Sequence, residues 1–149
     1  KKEDFADSEK FNILRDLPFF ANFADADLWE VMRVSSWAYC KPGKALMFEG
    51  ETGDFFCLLA SCEVKVIKQG KLLNILSSGE CFGEMAYISR ANGSVRSADI
   101  VALSESRVIT IRNEDLDRAS DMCRHKFDRA FMAILVERLS LSNTRLIGI

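Results

Sequence analysis

The chain has 149 residues, 48% of them hydrophobic, and a formal net charge of −2. That length suits a single domain, residues 1–149, with a sizeable core. The near-balanced charge excludes a broad electrostatic pull toward nucleic acid, and no apolar run approaches the length of a membrane span. Five cysteines (Cys40, Cys57, Cys62, Cys81 and Cys123) form no C-x-x-C pair, and His125 is the only histidine. A His-rich metal site is excluded, and a Cys/His zinc site is not expected at these spacings. The N-terminus, Lys1-Lys2-Glu3-Asp4, has neither an initiating Met nor the pattern of a signal peptide. Reduced thiols and a cytoplasmic location are therefore expected, and the chain reads as a trimmed piece whose neighbours hold the biological output.

Residues 8–36 read as helical. Phe11, Leu14 and Leu17 keep a helical spacing until Pro18, and Asp25 is placed to cap a second helix carrying Leu28, Val31 and Met32 on one face. Between the two, Phe19, Phe20 and Phe23 read as a hydrophobic plug. Residues 37–111 predict short strands broken by turns, with strand-like runs at 55–60, 63–68, 72–76, 100–103 and 108–111. Lys41-Pro42-Gly43, Glu51-Thr52-Gly53-Asp54 and Ser77-Ser78-Gly79 supply the breaks, and Gln69-Gly70 reads as a hairpin turn. Such strands, with glycines at the corners, predict a barrel or jelly roll. Residues 113–149 turn helical again, with Asn113 or Asp115 as cap. A second helix from about Arg124 carries an apolar stripe of Phe127, Phe131, Ile134, Leu135 and Leu139, with Arg129, Glu137 and Arg138 beside it.

Two segments concentrate the chemistry: Phe82-Gly83-Glu84-Met85-Ala86 and Val95-Arg96-Ser97-Ala98. Glycine lets backbone approach a ligand closely, and free N–H groups at a helix start favour an anion. Arginine presents a planar fork to phosphate oxygens. A carboxylate accepts from sugar hydroxyls and repels phosphate. Together they point to a ligand with a phosphate at one end and a sugar at the other. Taken singly, Glu84 could cap a helix, and Arg96 could pair with Asp99 or Glu84. Their order in one segment favours ligand roles, and an unpaired buried arginine would cost several kcal/mol without an anion beside it.

With these residues in order, the chain resembles the cyclic nucleotide-binding domain family over nearly its whole length, from Leu17-Pro18-Phe19-Phe20 to the terminal helix. Lys41-Pro42-Gly43, Phe48-Glu49-Gly50-Glu51, Gly53-Asp54, Gly79-Glu80, Phe82-Gly83-Glu84 and Arg96-Ser97-Ala98 carry the likeness through their order and spacing. The resemblance implies a mainly β fold: an eight-stranded antiparallel β-roll, or jelly roll, with N-terminal helices and C-terminal hinge and lid helices. It implies a phosphate-binding cassette at residues 83–98, with Phe82, Gly83, Glu84, Met85, Ala86, Arg96, Ser97 and Ala98 as ligand-binding residues. Glu84 would accept the ribose 2′-OH, and Arg96 would pair with the cyclic phosphate. Amides near Gly83, Glu84, Met85 and Ser97 would complete the cradle. Departures are a longer loop over residues 87–95, Val95 where proline is common before the arginine, and Cys62 where the hairpin commonly has glycine. Arg90 reads as a solvated loop arginine, with a second charge beside the phosphate as the other reading.

The ligand expected is cAMP, with cGMP as the alternative, since the Ser97 hydroxyl suits either purine. By position, Ser142, Asn143, Thr144 and Arg145 are candidates to cap the base; a solvated helix end is the competing reading. The expected role is a regulatory binding module and not an enzyme. Occupancy would be relayed through Met85, Ile88, Phe127 and Phe131 to an output domain in the same or another chain. A homodimer through the terminal helix would be a further partnership, with no direct nucleic-acid contact. The alternatives are the sensor half of a transcription regulator, or a degenerate domain used for protein contacts.

Overall fold

The computed structural model describes residues 6–146; at residues 92 and 142–146 it describes backbone only. Two helices open it, α1 (Asp7–Asp16) and α2 (Asp25–Val34), joined by a 3-10 turn at Pro18–Phe20. Eight strands follow: β1 (Ser35–Cys40), β2 (Ala45–Met47), β3 (Phe55–Ser61), β4 (Glu63–Lys68), β5 (Lys71–Ser77), β6 (Cys81–Phe82), β7 (Asp99–Ala102) and β8 (Ser106–Arg112). A short helix α3 (Met85–Ile88) lies between β6 and β7, and α4 (Asn113–Asp117) and α5 (Asp121–Leu146) complete the order. The strands form two four-stranded antiparallel sheets, β1-β8-β3-β6 and β2-β7-β4-β5. This is the expected β-roll with helices at both ends of the sequence.

The period-two alternation of β3 explains how one sheet serves two cores. Phe56 and Leu58 join a cluster with Leu14, Phe20, Leu28, Phe127 and Phe131 from the helices. Cys57 and Leu59 face the roll interior with Met47, Val64, Leu76, Phe82 and Ile100. β8 divides the same way, with Ile109 and Ile111 toward the helices and Val108 inward. The expected aromatic plug is present: Phe20 meets Phe23 at 4.9 Å and Phe23 meets Phe127 at 5.2 Å, both edge to face. Such pairs add about 0.5–1.5 kcal/mol each beyond area burial.

At the β4–β5 hairpin, Gln69 (φ 51°) and Gly70 (φ 77°) are both left-handed, as a two-residue turn of that hand requires. Cys62 (φ 68°) links β3 to β4, so a cysteine occupies a conformation that favours glycine.

Several helix boundaries differ from the sequence reading. Asp25 does not cap α2; the carboxylate of Asp27 accepts from the Ala24 amide at 2.9 Å, and Asp25 faces Arg15 instead. Asn113 does not cap α4 with its side chain; its Nδ2 donates to the Ala86 carbonyl at 2.9 Å. The last helix starts three residues before Arg124. Ser120 Oγ accepts from the Cys123 amide, while its own N–H and O–H donate to Glu30, each at 2.6 Å. The apolar stripe of α5 is buried only in its first half: Phe127 and Phe131 are covered, whereas Leu135 and Leu139 are exposed. No helix among the described residues is long and apolar enough to cross a membrane.

Candidate functional site

Arg96 is held by a short irregular ladder. Its amide donates to the Glu51 carbonyl at 2.7 Å, its carbonyl accepts from Gly50 at 2.8 Å, and Gly53 donates to Ser94 at 3.2 Å. The side chain runs inward, and the residue is only 8% exposed. Nη1 donates to the Gly83 carbonyl at 3.0 Å and Nη2 to the Phe55 carbonyl at 2.6 Å, with the guanidinium 4.7 Å from the Phe55 ring centre.

Two glycines make that path available. A Cβ on Gly53 would stand 2.4 Å from the Arg96 guanidinium carbon. A Cβ on Gly83 (φ 75°) would stand 2.4 Å from the Met47 methyl and 2.7 Å from Arg96 Nη1.

Among the described residues, the guanidinium is a cation with carbonyls around it and no carboxylate bonded to it. Asp99 is engaged elsewhere, accepting from the Glu49 amide at 2.7 Å. Burial draws the Arg96 pKa below its ordinary value, against the opposite pull of Cys57, Asp54, Glu84 and Glu51; a guanidinium stays charged regardless. Burial also pushes the Cys57 thiol up to about 12.

Glu84 stands one residue before α3, and its carbonyl accepts the Tyr87 and Ile88 amides at 3.0 Å each. Its side chain makes no capping bond and is 4% exposed at residue level. Oε1 accepts from Nη1 of Arg138 on α5 at 2.5 Å, and Arg138 Nη2 lies 3.5 Å from the Cys81 carbonyl. Among the described residues, the amides of Gly83, Glu84 and Met85 donate to no carbonyl; they precede the first complete helical bond.

All eight residues singled out from sequence line one cavity of about 1210 Å³: Phe82, Gly83, Glu84, Met85, Ala86, Arg96, Ser97 and Ala98. Phe82 belongs to the roll interior, whereas Ser97 and Met85 are exposed. Ser142, Asn143, Thr144 and Arg145 fall in the last turns of α5, and their side chains lie outside the described residues. Sequence reasoning missed the far walls: Met47, Val66, Leu73 and Asn74 from the roll, and Ile134, Arg138 and Leu141 from α5. Arg90 keeps 46% of its side chain exposed, as a solvated loop arginine would, and does not line this cavity. It donates to the Tyr87 carbonyl at 2.7 Å, stacks 4.0 Å from the Tyr87 ring and pairs with Asp117 at 3.4 Å.

Of the residues expected to relay occupancy, Phe131 lies 5.8 Å from Tyr87 of α3, and Ile88 packs on the same cluster. Met85 faces the cavity instead. Among the described residues no group of His, Cys, Asp and Glu is gathered to hold a metal ion.

Known proteins resemble the chain in sequence and in fold. A cGMP-dependent protein kinase of Toxoplasma gondii is 30% identical over 139 residues, which is 93% of this chain but 13% of the kinase. The chain thus spans a small part of that relative. The structure of cAMP-bound PfPKA-R superposes with a TM-score of 0.74 at 19% identity, over 95% of this chain and 47% of that one. The catabolite activator protein of Thermus thermophilus gives 0.72 at 24% identity, over 87% and 61%. Both likenesses are of fold. The family model described as the cyclic nucleotide-binding domain matches residues 38–122, more than half of the sequence, and the chain belongs to that family.

Proposed function

We propose that this chain binds a cyclic nucleotide as a regulatory module, with the phosphate on Arg96 and the ribose 2′-hydroxyl on Glu84. The observation that carries the reading is the buried Arg96 guanidinium, which among the described residues has two backbone carbonyls as partners and no carboxylate. A cation so placed favours an anion that brings no further desolvation cost to the protein. Gly83, Glu84, Met85 and Ser97 supply amides around it, and Phe82, Ala86 and Ala98 shape the wall. Ser142, Asn143 and Thr144 remain the proposed caps for the base.

cAMP is the first ligand proposed. cGMP is a second reading, favoured by the cGMP-dependent kinase at 30% identity. Occupancy would pass from α3 to α5 through the Tyr87–Phe131 contact, and from there to an output domain. A second copy of the chain is a further proposed partner, met along the exposed half of α5. The proposed setting is cytoplasmic.

Calorimetric titration with cAMP and cGMP in parallel tests the reading. Saturable binding at micromolar concentration or tighter is expected for one of them. No binding of either, by folded protein free of co-purified nucleotide, would sink it.

A further inference from the structure

The β4–β5 hairpin differs from the rest of the chain in charge. No aspartate or glutamate falls between Glu63 and Glu80, while the interval holds Lys65, Lys68 and Lys71. In a chain of net charge −2 this is a local cationic patch. None of the three lysines forms a salt bridge with a described residue. Two carboxylates near the hairpin are taken by backbone amides: Glu49 accepts from Gln69 at 3.0 Å, and Asp99, opposite Ile67 in the sheet, accepts from Glu49 at 2.7 Å.

The strand register adds an apolar component. Val64 and Leu76 belong to the roll interior, so alternation turns Lys65, Ile67 and Ile75 outward. Lys65 pairs with Ile75 and Ile67 with Leu72, and paired residues share a face. Leu72 is 59% and Ile75 41% accessible, and residues 68–75 are exposed throughout. Lys68 pairs with Lys71 across the turn, and like charges directly opposite each other destabilise a hairpin. β5 is also the edge of its sheet, β2-β7-β4-β5. Lysines on an edge strand guard against pairing with another chain, but exposed leucine and isoleucine beside them act the other way. The combination calls for a partner that accepts both the positive charge and the apolar side chains.

An anionic lipid interface does both. Lysine stems lie along the apolar boundary while their ammonium groups stay among the headgroups. The shape fits as well. The hairpin projects as a tip: a Cβ on Gly70 would meet nothing within 4 Å. Leu72 and Ile75 line neither the cavity described above nor the smaller one between α3 and α5. A tip without a groove suits entry into a fluid surface better than capture of a peptide.

We infer that the outer face of the β4–β5 hairpin is a docking surface for an anionic lipid bilayer. Ile67, Leu72 and Ile75 enter the interface, and Lys65, Lys68 and Lys71 meet the headgroup charge, which relieves the opposed pair Lys68 and Lys71. The inference is independent of what occupies the cavity.

The test is co-sedimentation of the chain with vesicles of phosphatidylcholine alone, or with one part phosphatidylserine to two parts phosphatidylcholine. Wild type is expected to bind the phosphatidylserine vesicles at least about tenfold more strongly, and to be released as salt rises toward about 1 M. Lys68→Glu with Lys71→Glu should lower the partition coefficient by at least about tenfold. Leu72→Ser with Ile75→Ser should lower it by about tenfold without changing the salt dependence. Lys41→Glu with Lys44→Glu makes the same change of charge at the opposite end of the sheet and should alter binding by less than about twofold. Thermal melts accompany each variant. Lys68→Gln with Lys71→Gln, which only removes the opposed charges, serves if the glutamate pair fails to fold, with a smaller loss in the same direction. Wild type that ignores phosphatidylserine vesicles overturns the inference, as does an equal loss in the hairpin and control lysine pairs. Wild type that binds a poly-glutamate peptide but no vesicle also overturns it, and assigns the patch to an acidic protein.

Discussion

Among the described residues, the Arg96 guanidinium is hydrogen-bonded by backbone carbonyls and covered by the Phe55 ring. Its two carbonyl partners take two of its five N–H donors and leave its charge uncancelled. Deleting the side chain therefore removes a costly buried cation as well as two hydrogen bonds, and these effects on folding oppose each other. Binding has no such compensation, because the phosphate would lose its charge-assisted partner outright. Arg96→Ala is expected to weaken cyclic-nucleotide binding by about 2–4 kcal/mol, with the melting temperature of the free protein shifting little. Titration calorimetry beside a thermal melt separates the two. Unchanged affinity would take Arg96 out of the site.

At the scale of elements, α5 is anchored at its start by Glu30 of α2, which accepts both the amide and the hydroxyl of Ser120. Burial works against the charge on Glu30. The two Ser120 bonds and nearby Arg33 outweigh it and hold the carboxyl below its ordinary value. A lowered carboxylate pKa means stability that is present above the unfolded-state pKa and is lost as pH falls through the folded-state pKa. Glu30→Gln is thus expected to cost about 1–2 kcal/mol at neutral pH. That difference should shrink toward zero in acid, as read by denaturant melts across pH. A constant difference at every pH would mean that the charge of Glu30 contributes nothing. This anchor was not legible in the sequence, because the partner of Ser120 lies 90 residues away. β6 was also beyond reach: two residues cannot display a period. What was legible had local causes. The Gln69-Gly70 turn, the strand-like apolar run at 55–60 and the order of residues in 83–98 each follow from neighbours in sequence. Arg138 was missed for a related reason. On a helix, periodicity assigns a charged residue to the solvent face, and only the tertiary approach of Glu84 reassigns it.

At the scale of the whole molecule, α5 is a 26-residue helix whose two halves obey different partners. The first half is locked to the roll by Phe127 and Phe131. The second exposes Met132, Val136 and Leu139, which are 61%, 58% and 63% accessible. Their spacing of four and then three residues places them on one seam, as in a pair of supercoiled helices. Intramolecular packing, the competing account of this stripe, covers Phe127 and Phe131 and part of Ile134. An apolar seam of this kind is stabilised by a second copy presenting the same seam, but three apolar positions are few, so the association should be weak and concentration-dependent. Sedimentation equilibrium is expected to show a monomer–dimer equilibrium at about micromolar to hundred-micromolar concentration. Val136→Glu should return the chain to monomer, because it places like charges opposite each other at the centre of the seam. Val136 is exposed in the monomer, so the melting temperature of dilute protein should not change. A wild-type chain that stays monomeric throughout that range would dismiss the second copy as occupant of the seam.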